Sequence, residues 1–155
     1  MNKLLLNKII EGQIVNISRI CNLISIQIHS KNGEQLAIHI QSFFRIINKN
    51  VVLISSEDIY RPSLKYQDED FDWDIPGKSI FDETIQKYKT NLLNAKINQV
   101  TFSITGDMAI VLDNDYIIQI IVDTTISSEK YRIFDETDEF VFITNEQIKS
   151  DNFSK

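Results

Sequence analysis

Residues 24–40 read ISIQIHSKNGEQLAIHI, and this stretch decides the fold. Isoleucines alternate with polar residues before the segment Lys31-Asn32-Gly33, and a second apolar alternation follows that segment. Two such alternations around an Asn-Gly turn are typical of a β-hairpin. The sequence therefore predicts a pair of antiparallel strands at this position.

The register of this hairpin follows from which side chains must share a face. A two-residue loop would place the two apolar rows on opposite faces of the sheet. A three-residue loop, with Gly33 in the left-handed conformation, puts both rows on one face, so the pattern favours it. The expected pairs are Ile28 with Leu36, Ile26 with Ile38, and Ile24 with Ile40. The opposite face is then polar, with Ser25, Gln27, His29, Gln35 and His39.

Outside the hairpin, shorter apolar runs alternate with turn residues. A helix is expected at residues 4–10, with Gly12 as its C-terminal cap. A second helix is expected to begin after Ser79, a good N-cap residue with Asp82 and Glu83 in the following turn. Further strands are expected at residues 14–20, 43–47, 51–55, 97–104, 108–112, 116–122, 131–134 and 140–143. In the pair around residues 113–115 both faces are apolar, which predicts central strands covered on both sides.

The two halves of the chain resemble each other. Residues 9–14 align with residues 92–97, and the alternation at residues 24–28 aligns with residues 108–112. An aromatic-Arg-Ile phrase follows in each half, at residues 44–46 and 131–133. We therefore expect one α+β domain, 1–155, with a mainly antiparallel sheet built from two similar helix-plus-β-meander halves. The halves, 3–56 and 79–145, are expected to derive from an internal duplication, with one long acidic loop between them at residues 61–78.

Composition narrows the functional class. The chain has 155 residues, a formal net charge of -6 and a single cysteine. Lys and Arg are not concentrated in any segment, which argues against nucleic acid or an anionic membrane as partner and favours a basic protein. No apolar run approaches the ~20 residues that cross a bilayer, and residues 1–12 lack the pattern of a signal peptide. One cysteine fits a reducing compartment, so the expected location is the cytoplasm.

The residues that commonly act in catalysis or in metal and phosphate binding form no recognisable site in this sequence. On the expected register, His29 and His39 are ~13 Å apart, too far to share a metal ion. Cys21 has no histidine near it and is expected to be a small buried apolar residue. The glycines are scattered and form no phosphate-binding loop. We therefore expect no catalytic residue, no metal and no cofactor.

The acidic run is the strongest candidate site. Its expected partner-binding residues are Asp68, Glu69, Asp70, Phe71, Asp72, Trp73 and Asp74. Extended alternation would turn the aromatic side chains one way and the carboxylates the other, which suits capture of a basic partner. Three other interpretations stay open: a calcium loop beginning at Asp72, a carboxylate pair for hydrolysis, and a solvated loop held to the core by Phe71 and Trp73. The proline at position 76, where a calcium loop needs a ligand, weakens the first of these.

Residues 36–46, LAIHIQSFFRI, resemble a hairpin phrase in small uncharacterised bacterial proteins. Some of those proteins are similar to immunity proteins, which neutralise polymorphic or contact-dependent toxins in the cytoplasm. The resemblance implies a small protein that binds another protein and transfers no functional residue. Together with the acidic run, it predicts a non-enzymatic protein-binding domain that neutralises a basic toxin. The alternatives are a small enzyme or ligand-binding domain with a pocket between the halves, and a structural subunit of a homo-oligomer.

Overall fold

A computed structural model describes residues 3–67 and 70–144 of the chain. Within them lie two α-helices, α1 (Lys3–Ile9) and α2 (Ile80–Leu92). The strands of the first half are β1 (Gln13–Ile20), β2 (Leu23–His29), β3 (Gln35–Ile40), β4 (Phe43–Asn48) and β5 (Val51–Ser55). Those of the second half are β6 (Ile97–Phe102), β7 (Met108–Leu112), β8 (Tyr116–Ile121), β9 (Glu129–Phe134) and β10 (Glu139–Ile143). Two short 3₁₀ helices, Ser56–Tyr60 and Leu64–Tyr66, follow β5.

The strands form two five-stranded antiparallel sheets. The first sheet has the order β1-β2-β3-β9-β10, and the second has the order β5-β4-β8-β7-β6. Every neighbouring pair runs antiparallel. The prediction of an α+β fold with mainly antiparallel sheet is therefore confirmed.

Each sheet combines three consecutive strands of one half with two strands of the other. Exchanging each of β1 to β5 with the strand five places later turns the order of the first sheet into that of the second, read from the opposite edge. The segments that follow the two helices also pair with each other. The backbone N–H of Glu11 donates to the carbonyl of Ile97 (2.8 Å), and that of Asn94 donates to the carbonyl of Ile14 (2.7 Å).

The hairpin at residues 24–40 has the predicted register. Ile24 lies opposite Ile40, Ile26 opposite Ile38, and Ile28 opposite Leu36. The N–H of Ser30 donates to the carbonyl of Glu34 (2.8 Å), which leaves a three-residue loop, and Gly33 has a φ of 84°. The face pattern alone was sufficient, because a shift of one residue would have turned one of the two apolar rows, three buried side chains, towards solvent.

The two sheets and both helices share one hydrophobic core. Leu5 and Ile9 of α1 and Phe81 and Leu92 of α2 are at most 1% exposed. The ring of Phe81 lies 6.2 Å from that of Phe44 in the second sheet, centroid to centroid. Helix α2 begins as predicted, with a reciprocal capping box between Ser79 and Asp82. No helix within the described residues is long and apolar enough to cross a membrane.

Two local predictions are wrong. The left-handed residue after α1 is Glu11, with a φ of 67°, and not Gly12. Gly12 is required instead by close packing, because a Cβ atom there would lie 2.8 Å from the carbonyl oxygen of Ile9. The second wrong prediction is that β7 and β8 are covered by other parts of the chain on both faces. The outward side chains, including Val111 and Ile117, are only half-buried by the part of the chain that the structure describes.

Candidate protein-binding face

A buried ion pair connects β1 to α2. The Nε of Arg19 donates to Oδ1 of Asp82 (2.8 Å), and the Nη2 donates to Oδ2 (2.7 Å). The side chain of Arg19 is 1% exposed and that of Asp82 is 13% exposed. Planar, two-point pairing of this kind is the strongest geometry available to an arginine and a carboxylate.

Asp82 also receives hydrogen bonds from the residues before α2. Its Oδ2 accepts from the hydroxyl of Ser79 (2.8 Å) and from the backbone N–H of Gly77 (2.9 Å). Burial opposes ionisation of this carboxyl, but the hydrogen bonds from Arg19, Ser79 and Gly77 outweigh it and lower the pKa of Asp82. Asp82 is therefore a carboxylate at neutral pH, and it fixes the end of the acidic run against the helix.

Arg19 reaches two further segments through backbone carbonyls. Its Nη1 donates to the carbonyl of Cys21 (2.8 Å), in the turn between β1 and β2, and its Nη2 donates to the carbonyl of Ile75 (3.2 Å). One buried guanidinium thus holds together a strand turn, the acidic run and the start of α2.

Above this anchor lies a surface that we call the acidic-aromatic face. Its apolar members are Ile20, Tyr60, Trp73 and Ile75, which are 75%, 45%, 37% and 45% exposed. The rings of Tyr60 and Trp73 are 5.2 Å apart, and the Tyr60 hydroxyl lies 3.4 Å from the side-chain amide of Asn22. These contacts join the 3₁₀ helix, the acidic run and the β1–β2 turn into one surface.

The acidic members of the face are Asp70, Asp72 and Asp74, all of them exposed. The carboxylate of Asp72 accepts a hydrogen bond from the backbone N–H of Asp74 (3.0 Å), and the N–H of Ile75 donates to the carbonyl of Asp72 (3.2 Å). The chain therefore turns at Asp72, so the extended alternation predicted for the whole run stops there. Phe71, just before the turn, is half-buried. The predicted site residues Asp68 and Glu69 lie outside the described residues.

Cys21 is exposed, so the prediction of a buried apolar cysteine is wrong. It occupies the two-residue turn between β1 and β2 with a φ of 52°, a position that turns its side chain away from the core. Its hydrogen bond with Asp74, and secondarily its partial desolvation, raise the pKa of the thiol. A raised pKa leaves little thiolate at neutral pH, so this cysteine is a poor nucleophile.

Sequence reasoning found the acidic run but missed the other segments of the face. The sequence predicted a buried Cys21 and gave no binding role to Ile20 or Tyr60. The available signal was Ile20, an apolar residue at a position of β1 that faces away from the core. The pairing of Arg19 with Asp82 gives no local signal, because the two residues are distant in the chain.

The two histidines lie on the outer face of the first sheet, as predicted. His29 is opposite Gln35, and His39 is opposite Ser25. The ring of Phe134 stands edge-on to that of His39, with centroids 4.8 Å apart, and burial followed by a nearby cation lowers the pKa of His39. Among residues 3–67 and 70–144, no three His, Cys, Asp or Glu side chains converge as a metal ion would require.

The arginines of the two aromatic-Arg-Ile phrases occupy corresponding places in the two sheets. Arg45 of β4 lies opposite Gln119 and donates to its side-chain oxygen (2.7 Å). Arg132 of β9 lies opposite His39 and bonds to two carboxylates, those of Glu129 (2.6 Å) and Glu139 (3.0 Å). Both are outer-face residues whose polar partners are within the same sheet.

A groove of about 460 Å³ lies between β1 of the first half and α2 of the second. Ile17, Arg19, Tyr66, Phe81 and Asp82 are among its lining residues. Arg19 and Asp82 already pair with each other. A ligand in the groove would therefore contact mainly its apolar side chains and the exposed ends of the residues at its rim. It is the feature that corresponds to the predicted pocket between the halves.

We found no matching protein-family model, no matching curated protein and no matching solved structure for this chain.

Proposed function

We propose that this chain is a non-enzymatic protein-binding domain that captures a basic protein through the acidic-aromatic face. The observation that carries the proposal is the exposure of Tyr60 and Trp73 beside Asp70, Asp72 and Asp74. Exposed aromatic side chains supply contact area when a partner covers them, and surrounding carboxylates attract and orient a basic surface. The formal net charge of -6 acts in the same direction at long range.

The way the face is anchored supports a binding role. Arg19 fixes the β1–β2 turn, the acidic run and α2 from below, through bonds that are largely shielded from water. A surface that is already ordered before binding loses less conformational entropy when the partner arrives.

The class of partner follows from the resemblance of residues 36–46 to a phrase in immunity-like proteins. We propose that the partner is a basic toxin and that capping its surface neutralises it. The cytoplasm is the corresponding location, because a cytoplasmic partner protects the cell that makes or receives such a toxin. The single cysteine agrees with a reducing environment.

We also propose that the two halves, 3–56 and 79–145, arose by duplication of one helix-plus-strands unit. The exchange relation between the two strand orders supports this, as do the reciprocal hydrogen bonds of Glu11 and Asn94. These two residues occupy corresponding places in the halves, and both have a φ near 65°. Position 145 lies outside the described residues.

The test of the binding proposal compares three forms of the protein as bait in the source cell's lysate. The first is unchanged, and the second carries Asp70→Asn, Asp72→Asn and Asp74→Asn. The third is a charge-matched control with Glu11→Gln, Asp115→Asn and Glu136→Gln, three exposed acids outside the face. We expect a basic protein to be retained by the first and third forms and lost by the second. Equal retention by all three forms would refute the site.

The captured protein is then purified and titrated against the bait. Trp73 is the only tryptophan of the chain, so its fluorescence reports directly on the face. We expect its emission to change on binding, and the affinity to fall as salt is raised, because exposed charges are screened beyond ~8 Å at physiological ionic strength. A partner whose binding leaves the Trp73 emission unchanged would contact another surface.

A second candidate function is the binding of a small ligand in the groove between β1 and α2. Its volume of about 460 Å³ is the observation that favours it, since ligand sites typically enclose ~300–1,000 Å³. Such binding would depend little on salt and would be unaffected by the three Asp→Asn substitutions. Thermal-shift screening of both forms against a metabolite panel separates the two functions.

A further inference from the structure

Strand β1 has an outer edge that is only partly paired. It is an outermost strand of the first sheet, with β2 on one side. On the other side the N–H of Ile14 donates to the carbonyl of Ala95 (3.1 Å), and the carbonyl of Ile14 accepts from the N–H of Asn94 (2.7 Å). After Ile14, no strand of the described chain pairs with this side. Residues 15–20 therefore form what we call the open edge of β1, a ready template for another strand.

The register of β1 fixes which backbone groups point out of the open edge. The two-residue turn that follows β1 makes Ile20 a hydrogen-bonding partner of Leu23. Hydrogen-bonded and non-hydrogen-bonded pairs alternate along an antiparallel ladder, so Ser18 also bonds to β2. The N–H and C=O groups of Ile17 and Arg19 point away from β2, and no hydrogen bond between described residues uses them. These groups repeat every second residue, about 6.8 Å, as an added strand requires.

The open edge forms one wall of the groove between β1 and α2, which Ile17 and Arg19 help to line. Ile85 of α2 and Tyr66 of the second 3₁₀ helix contribute apolar surface to the other walls, and both side chains are half-buried. The groove therefore presents unpaired backbone groups on one side and apolar side chains on the others. A ligand that matches it must have alternating hydrogen-bond donors and acceptors as well as apolar groups.

The charges that line the groove balance each other. Lys65 and Glu83 are exposed and opposite in sign, and the buried guanidinium of Arg19 is paired with Asp82. The groove thus has no excess of either charge that would favour an anion or a cation. The main chain of an extended peptide is uncharged and carries N–H and C=O groups at the repeat of the open edge.

We propose that the groove binds an extended peptide segment of another protein, which adds to β1 as a further strand. Its main chain pairs with Ile17 and Arg19, and every second side chain points toward Ile85 and Tyr66. The segment therefore has apolar residues at alternate positions, and the open edge, about 20 Å long, takes about six residues. This inference rests on the groove as the second candidate site and does not depend on the acidic-aromatic face.

The first test selects a phage-displayed library of random peptides against the full chain and titrates the selected peptide by calorimetry. Tyr66→Ser should weaken binding at least about tenfold, because it removes apolar surface from the groove. The matched control is Tyr60→Ser, in the acidic-aromatic face, which should leave the affinity unchanged. The circular dichroism spectra of both variants should match that of the unchanged chain. A selection that yields no peptide, or a peptide that binds both tyrosine variants equally, would refute the site.

A second test distinguishes strand addition from contact through side chains alone. In the complex, amide hydrogen exchange at Ile17 and Arg19 should slow at least about tenfold, whereas Ser18, already bonded to β2, should change little. N-methylation of one alternating set of peptide amides should weaken binding at least about tenfold, and methylation of the other set should not, since only one set faces β1. Equal effects of both sets, or unchanged exchange at Ile17 and Arg19, would overturn the proposal.

The outcome is separable from that of the proposed function. The triple Asp→Asn form, which should lose the basic protein, should keep its affinity for the selected peptide. Peptide binding should also vary little with salt, because the charged residues that line the groove balance each other. A selected peptide that is lost with the triple form would bind the acidic-aromatic face, and the groove inference would then be wrong while the proposed function stands.

Discussion

Removing the charge of Asp82 should destabilise the protein more than any exposed ion-pair substitution. The guanidinium of Arg19 is almost completely buried, with two of its four hydrogen bonds ending on the Asp82 carboxylate. Asp82→Asn keeps an acceptor oxygen but leaves a buried cation without a counter-charge. Breaking a buried pair in this way costs about 3–5 kcal/mol. The retained acceptor places the expected loss at the lower end, about 3 kcal/mol.

The reverse substitution should be milder. Arg19→Met leaves Asp82 with its donors from Ser79 and Gly77 and with partial access to water. A loss of about 2 kcal/mol is therefore expected, most of it from hydrogen bonds to a charged group. The double variant should be less destabilised than the sum of the two single variants, because neither charge is then left alone.

Urea unfolding followed by circular dichroism measures these differences as changes in the free energy of unfolding. The control is Arg132→Met, which removes an arginine from a pair whose side chains are 37% and 21% exposed. An exposed pair of this kind contributes about 0–1 kcal/mol. If Asp82→Asn cost no more than Arg132→Met, the buried pair would not be the anchor of the acidic-aromatic face.

Two further predictions concern stability. Burial opposes ionisation of Asp135, but hydrogen bonds, first among them that from Lys8, lower its pKa to about 2. Because the folded-state pKa is the lower one, this carboxylate stabilises the fold above the unfolded pKa of about 3.9, and about 2 kcal/mol should be lost as the pH falls from about 5 to 2. Urea titrations at several pH values should show that slope, and Asp135→Asn should flatten it. Gly106→Ala should cost more than about 3 kcal/mol, because a Cβ atom would overlap the ring of Phe142 and φ is +94°. Gly33→Ala, with a φ of +84° and open space around it, should cost only about 1 kcal/mol, and thermal melts of the two variants would contradict this reasoning if they coincided.

The parts of the fold that could be predicted are those with a local signal. The hairpin register followed from the alternation around Gly33, and the start of α2 followed from Ser79 and the acids after it. Both depend on residues within a few positions of each other. The α+β class followed in the same way, from the number of short alternating runs.

The parts that could not be predicted depend on distant residues. The sequence shows Arg19 only as a charged residue near the end of β1, yet its side chain is buried because α2 brings Asp82 to it. Cys21 was placed in the core because cysteine is usually buried, but the tight turn there leaves its side chain in solvent. For the site, the sequence identified the acidic run, and the elements that surround it required the structure.

The exchange of strands between the halves governs how the chain can fold. β3 pairs with β9 and β4 pairs with β8, as Ile38–Ile133 and Ile46–Ile118 show. Neither pair can form before the later strand has been synthesised. During synthesis the first half therefore emerges with two open strand edges, and at about 5–20 residues per second these remain open for several seconds. Open edges invite pairing with other chains, and pairing between distant strands is slow. A chain that stops before β8 would complete neither sheet, so the smallest unit that can fold is nearly the whole described protein.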